Sequence, residues 1–187
     1  MRLFNIFFNI QVGVTLVLPN ILILMLVGGE GILGTVQAVT AGLSAVAVYI
    51  IGRKSTIKTA WWFILFGSLA FLLGTLVLAL SFTWIGALAY SVVITLTWAS
   101  IWTPSNTVTM DLMDHLEPDT ERQYAYVCDN ELFFNIGRAL GIAIICTLAI
   151  VISDRTALQY TAVIAGVCQL PLAFLIHNMV MHIHDKS

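Results

Sequence analysis

Glu131, Asn135 and Arg138 fall four and seven residues apart within an apolar run that continues to Ile152. At 3.6 residues per turn these steps place a carboxylate, an amide and a guanidinium on one side of a helix. Such groups at membrane depth are costly, so they turn toward protein or a wet cavity. The chemistry they support is a path for a solute or a proton, with Glu131 as the candidate proton carrier and Arg138 as a candidate for an anionic group; the alternatives are an interfacial acid beside Asp129 at the helix start for Glu131, and snorkelling or a structural ion pair for Arg138. A second polar side follows from Thr95, Trp98, Trp102, Asn106 and Thr109, which recur at three- and four-residue steps. Aromatic walls with a few hydrogen-bonding groups are the usual lining of small-molecule cavities. Asn5, Asn9 and Gln11 near the start of the chain, Gln37 and Thr40, and Gln169 near the end are further cavity candidates; interhelical hydrogen bonding explains them equally well.

The elements that carry these groups are membrane helices. Of the 187 residues, 59% are hydrophobic and only 10% charged, against about 25% in ordinary soluble domains. The mean hydropathy is +0.96. Long continuous apolar runs without ten-residue alternation specify an all-α membrane protein rather than a barrel. Six transmembrane helices are predicted, at about 3–27, 32–51, 59–80, 85–110, 124–152 and 157–181, together forming a single domain over 1–187. Pro19 removes a hydrogen bond to the Thr15 carbonyl and predicts a kink in the first span, and Pro104 predicts a bend in the fourth. Gly34, Ala38, Gly42, Ala45 and Ala47 in the second span, and the Gly137-x-x-x-Gly141 spacing in the fifth, suit close helix packing. The polar stretch 111–122 is a linker, too short for a domain.

Six spans put both ends on one side, with Arg2, Arg53, Lys54, Lys58, Arg122 and Lys186; only Arg155 lies on the other. This bias predicts cytoplasmic termini in a multi-pass membrane protein. No basic stripe exists for nucleic acid. Cys128, Cys146 and Cys168 form neither a metal site nor a disulfide framework, and His177, His182 and His184 lack an acidic shell for a metal. Enzyme signatures such as Gly-x-Ser-x-Gly, His-Glu-x-x-His and the Walker loop are missing. Neither an enzyme nor a cofactor is expected.

The six spans, both ends inside, and the basic turn Gly52-Arg53-Lys54 resemble one half of a major facilitator superfamily transporter. That turn is similar to the end of the family's signature, Gly-x-x-x-Asp-Arg-x-Gly-Arg-Lys, although Tyr49 replaces the Asp, Ile50 the Arg and Ala45 the first Gly. The segment from Glu121-Arg122-Gln123-Tyr124 to Glu131 and Asn135-Ile136-Gly137-Arg138 resembles the linker and eleventh helix of some bacterial members, which implies a bacterial inner (plasma) membrane. The resemblance implies a C-terminal half bundle with a 3+3 inverted repeat, and a secondary active transporter moving a small-molecule solute by alternating access. Coupling would be to an ion or proton, as a symporter or antiporter. For Gly52, Arg53 and Lys54 it implies gating contacts between helices, with a purely topogenic role of the two basic residues as the alternative, and it implies a partner: an N-terminal six-helix half or a second copy. The alternative from another class is a non-transporting six-span membrane sensor or assembly subunit.

Overall fold

A computed structural model describes residues 2–116 and 120–184. The side chains at 57, 58, 112, 114–116, 120–122, 173 and 179–184 are not described, so those of Lys58, Arg122, His182 and His184 fall outside it, as does Lys186. Six helices follow one another: α1 (Arg2–Leu26), α2 (Glu30–Lys54), α3 (Ile57–Leu80), α4 (Trp84–Leu116), α5 (Thr120–Val151) and α6 (Asp154–His184). Each carries a stretch long and apolar enough to cross a bilayer. The chain is therefore an all-helical, multi-pass membrane protein.

The helix ends follow local chemistry. Between α1 and α2, Gly28 and Gly29 adopt φ of 79° and 90°, a region that glycine enters without steric cost. Glu30 then opens α2 and Arg53 and Lys54 close it, each charge favoured by the partial charge of its helix end. Helices α1, α4 and α6 continue through Pro19, Pro104 and Pro171. At 111–116 and 120–122 the chain differs from the expected linker, of which 117–119 lie outside the described residues. Helix α4 runs on to Leu116 and α5 begins at Thr120, because beyond the hydrocarbon a helix still satisfies its own backbone and tolerates polar side chains.

Helix α1 is the most enclosed element. It lies against α5 along much of its length and also meets α6 and α4. Helix α3 packs between α4 and α6, while α2 leans on α4. The apolar interior has two clusters. Phe4, Phe8, Val12, Ile64, Ile101 and Leu172 form one; Val14, Leu18, Leu22, Phe71, Tyr90 and Ala162 form the other. The clusters change over between Val12 and Val14 on α1 and between Ala165 and Leu172 on α6. Buried Gln11 and Gln169 sit at this junction.

No residue of α2 is buried. A Cβ added at Gly34 or Gly42 would meet nothing within 4 Å. The close packing expected from the small residues of α2 is thus not made within this chain: that side of the helix faces outward. Small residues permit a close approach but do not name the partner.

Candidate functional site

The seam between α1 and α5 is set by glycine. A Cβ at Gly137 would lie 2.7 Å from the Ile6 carbonyl oxygen. One at Gly141 would strike the Ile10 carbonyl, and one at Gly13 the Arg138 carbonyl. The two backbones are therefore in direct contact, and polar side chains beside them reach across. Asn5 Nδ2 donates to Asn130 Oδ1 at 2.7 Å, and Asn9 Nδ2 to the Asn5 carbonyl at 2.9 Å. Arg138 Nε donates to Asn9 Oδ1 at 3.3 Å. At the end of the seam Arg2 forms an ion pair with Asp129 at 2.9 Å and lies over the Phe133 ring. The Arg2 side chain is 67% exposed, so this pair contributes little to stability.

The three residues of the α5 stripe separate in their contacts. Arg138 is half-buried and engaged by α1. Asn135 is exposed and donates to the Glu131 carbonyl of its own helix. Glu131 is exposed, and its carboxylate has no hydrogen-bond partner among the described residues. Beside them Phe134 reaches Trp102 on α4, with ring centroids 6.2 Å apart. Trp102 and Trp98 stack on each other at 5.3 Å and both stack on Phe8 of α1. Helices α1, α4 and α5 thus share one aromatic column. Asn106, about one turn beyond Trp102 on α4, is half-buried.

A groove of about 330 Å³ opens between α1, α2 and α4. Gln11, Thr15, Gln37, Thr40, Thr95 and Trp98 line it. Gln11 and Thr15 come from the middle third of α1, Thr40 from that of α2, and Thr95 and Trp98 from that of the apolar part of α4. Two amide pairs hold its walls. Gln169 Nε2 on α6 donates to Gln11 Oε1, and Gln37 Nε2 donates to Asn20 Oδ1 at 3.0 Å. The groove therefore brings together Gln37 and Trp98, with Gln169 behind Gln11. It does not include Glu131, Asn135, Arg138, Trp102, Asn106 or Asn9.

Thr15, Ser44 and Asn20 were not singled out as site residues from sequence. Their signal was there: Gln11 and Thr15 are four residues apart, and Gln37, Thr40 and Ser44 follow at steps of three and four. Gly52, Arg53 and Lys54 are exposed at the end of α2. A Cβ at Gly52 would lie 3.8 Å from Thr103 Cγ2 on α4. Arg53 turns back on its own helix, donating to Tyr49 Oη at 3.2 Å. Cys128 and Cys146 are exposed and Cys168 is half-buried. No group of three His, Cys, Asp or Glu side chains suited to a metal occurs among the described residues. Comparisons with known protein families, with curated proteins and with solved structures found no match for this chain.

Proposed function

We propose that this chain is one six-helix half of a secondary active transporter of the major facilitator type. It moves a small solute by alternating access, and the groove between α1, α2 and α4 is this half's share of the solute site. The observation that carries the reading is that a groove of about 330 Å³ in the middle of three apolar helices has amide and hydroxyl side chains (Gln11, Thr15, Gln37, Thr40, Ser44 and Thr95) set in an otherwise apolar wall. Lipid tails cannot satisfy amides and hydroxyls, so a groove so lined at that depth suits water or a solute.

The helix neighbours add support. Exchanging α1 with α4, α2 with α5 and α3 with α6 turns the α1–α5 contact into α4–α2 and the α1–α6 contact into α4–α3. Both counterparts are extensive, which suits a 3+3 inverted repeat, although the smaller α5–α6 and α1–α2 contacts have no comparable α2–α3 and α4–α5 counterparts. The outward small-residue side of α2 and the exposed Glu131 and Asn135 on α5 suit a partner bundle: a second six-helix half or a second copy. Glu131 is the proposed proton carrier, Gly52, Arg53 and Lys54 the proposed gating turn, and the basic residues orient both termini to the cytoplasm of a bacterial plasma membrane.

The test is two-sided access. In a cysteine-free background, Thr95→Cys is treated in oriented membranes with a thiol reagent that cannot cross lipid. Labelling from either face is expected. Labelling from one face only, or from neither, would remove alternating access.

A further inference from the structure

We infer that the groove between α1, α2 and α4 takes an uncharged solute that both donates and accepts hydrogen bonds, of the polyol or nucleoside kind. This deepens the reading of the groove as a solute site and rests on it.

The first reason is charge. No lining residue of the groove is acidic or basic. Arg138 is turned to Asn9, and Glu131 does not reach the groove. A charged solute would shed its water there without meeting a counter-charge from this half, and unpaired desolvated charge is heavily penalised.

The second reason is the direction of the hydrogen bonds. A hydroxyl has one proton and two lone pairs. Thr15 Oγ1 donates to the Val12 carbonyl at 3.1 Å, Thr40 Oγ1 to Val36 at 2.9 Å and Thr95 Oγ1 to Ser91 at 2.8 Å. All three protons are committed to the helix backbone, so these hydroxyls offer the groove lone pairs. Gln37 has one N–H on Asn20 and keeps its second N–H and its carbonyl oxygen, while Gln11, whose Oε1 accepts from Gln169, keeps its N–H groups. The wall therefore offers hydroxyl lone pairs beside amide N–H groups, and hydroxyls on the solute, which both donate and accept, complete it. Trp98 and Ile94 supply an apolar side, which a sugar or nucleobase covers with its less polar surface. The volume lies at the lower end of the range for small-molecule pockets.

The experiment measures binding without flux, on the chain in lipid nanodiscs together with any partner that co-purifies. Matched probes separate charge from shape: glucose against gluconate and glucosamine, and uridine against uridine monophosphate. A neutral probe is expected to raise the unfolding temperature, and its charged counterparts to bind at least tenfold more weakly. Thr95→Val and Thr40→Val, which keep shape and remove the acceptor, should each weaken that binding by roughly tenfold. Thr35→Val, on α2 but off the groove, should leave it unchanged. A charged probe that binds as well as its neutral counterpart would overturn the assignment, and so would failure of both neutral probes. The transport reading fails separately: neutral probes that bind to a chain whose Thr95→Cys thiol is reached from one face only would leave this assignment standing and remove alternating access.

Discussion

Arg138 Nε and Asn9 Oδ1 meet at 3.3 Å across the α1–α5 seam. The guanidinium is beside backbones that glycine has brought into contact, and it turns to an amide rather than to an acid. This makes Arg138 a tie between two helices. A double-mutant cycle with Arg138→Ala and Asn9→Ala, read by unfolding in detergent micelles, should give a coupling of roughly 0.6 to 1.7 kcal/mol, the scale of hydrogen bonds between membrane helices. Additive single effects would mean that the bond does not hold in the folded bundle.

Glycine substitutions should divide sharply by helix. At Gly141 the obstacle to a Cβ is the Ile10 carbonyl, which cannot swing away as a side chain can. Gly141→Ala should cost about 1–3 kcal/mol, as overpacking does. Gly42→Ala on α2 meets nothing within 4 Å and should be neutral or raise stability by up to about 1 kcal/mol through helix propensity. Gly42→Leu should not lower the melting temperature of the isolated chain but should lower the fraction bound to a partner bundle, measured by cross-linking in membranes.

The buried amide pair predicts a rescue. Gln169→Leu removes the donor to Gln11 Oε1 and should destabilise by about 1 kcal/mol. Adding Gln11→Leu removes the stranded partner and should restore most of that loss. Equal and additive losses in thermal unfolding would contradict the pairing.

Arg53 contacts Tyr49 on its own helix, so its charge should matter for orientation more than for folding. Replacing Arg53 and Lys54 with Ser should change stability by less than about 0.5 kcal/mol. It should raise the fraction of inverted chains, read by a compartment-sensitive reporter on the C-terminus.

The helices were legible because each is a long apolar run, and hydrocarbon leaves the backbone no alternative to helix. The expected spans match the observed helices within a few residues except at 111–116 and 120–122, where composition marks the edge of the bilayer and not the end of the helix. The i, i+4, i+7 spacing of Glu131, Asn135 and Arg138 was also legible. Their partners were not. Asn5 pairs with Asn130 and Gln11 with Gln169 across more than a hundred residues, and periodicity within one helix says nothing of which neighbour it faces. Gln11, Gln37 and Gln169 were recognisable as polar groups in apolar helices, but only the packing of α1 against α2, α4 and α6 reveals that two of them line one groove and the third holds its floor.

The most direct measurement bears on whether protein or water, rather than lipid, meets the polar side of α5. A spin label is placed at Asn135→Cys in a cysteine-free background, in a lipid bilayer. Collisions with molecular oxygen, which concentrates among lipid tails, are compared with those with a water-soluble nickel chelate. Phe66→Cys on α3, exposed and surrounded by apolar residues, serves as the lipid-facing reference. Asn135→Cys should show far fewer oxygen collisions than Phe66→Cys, with either nickel access or a close-packed, immobile spectrum. Oxygen collisions equal to those of Phe66→Cys, with no nickel access, would place this side in lipid and contradict the transporter reading.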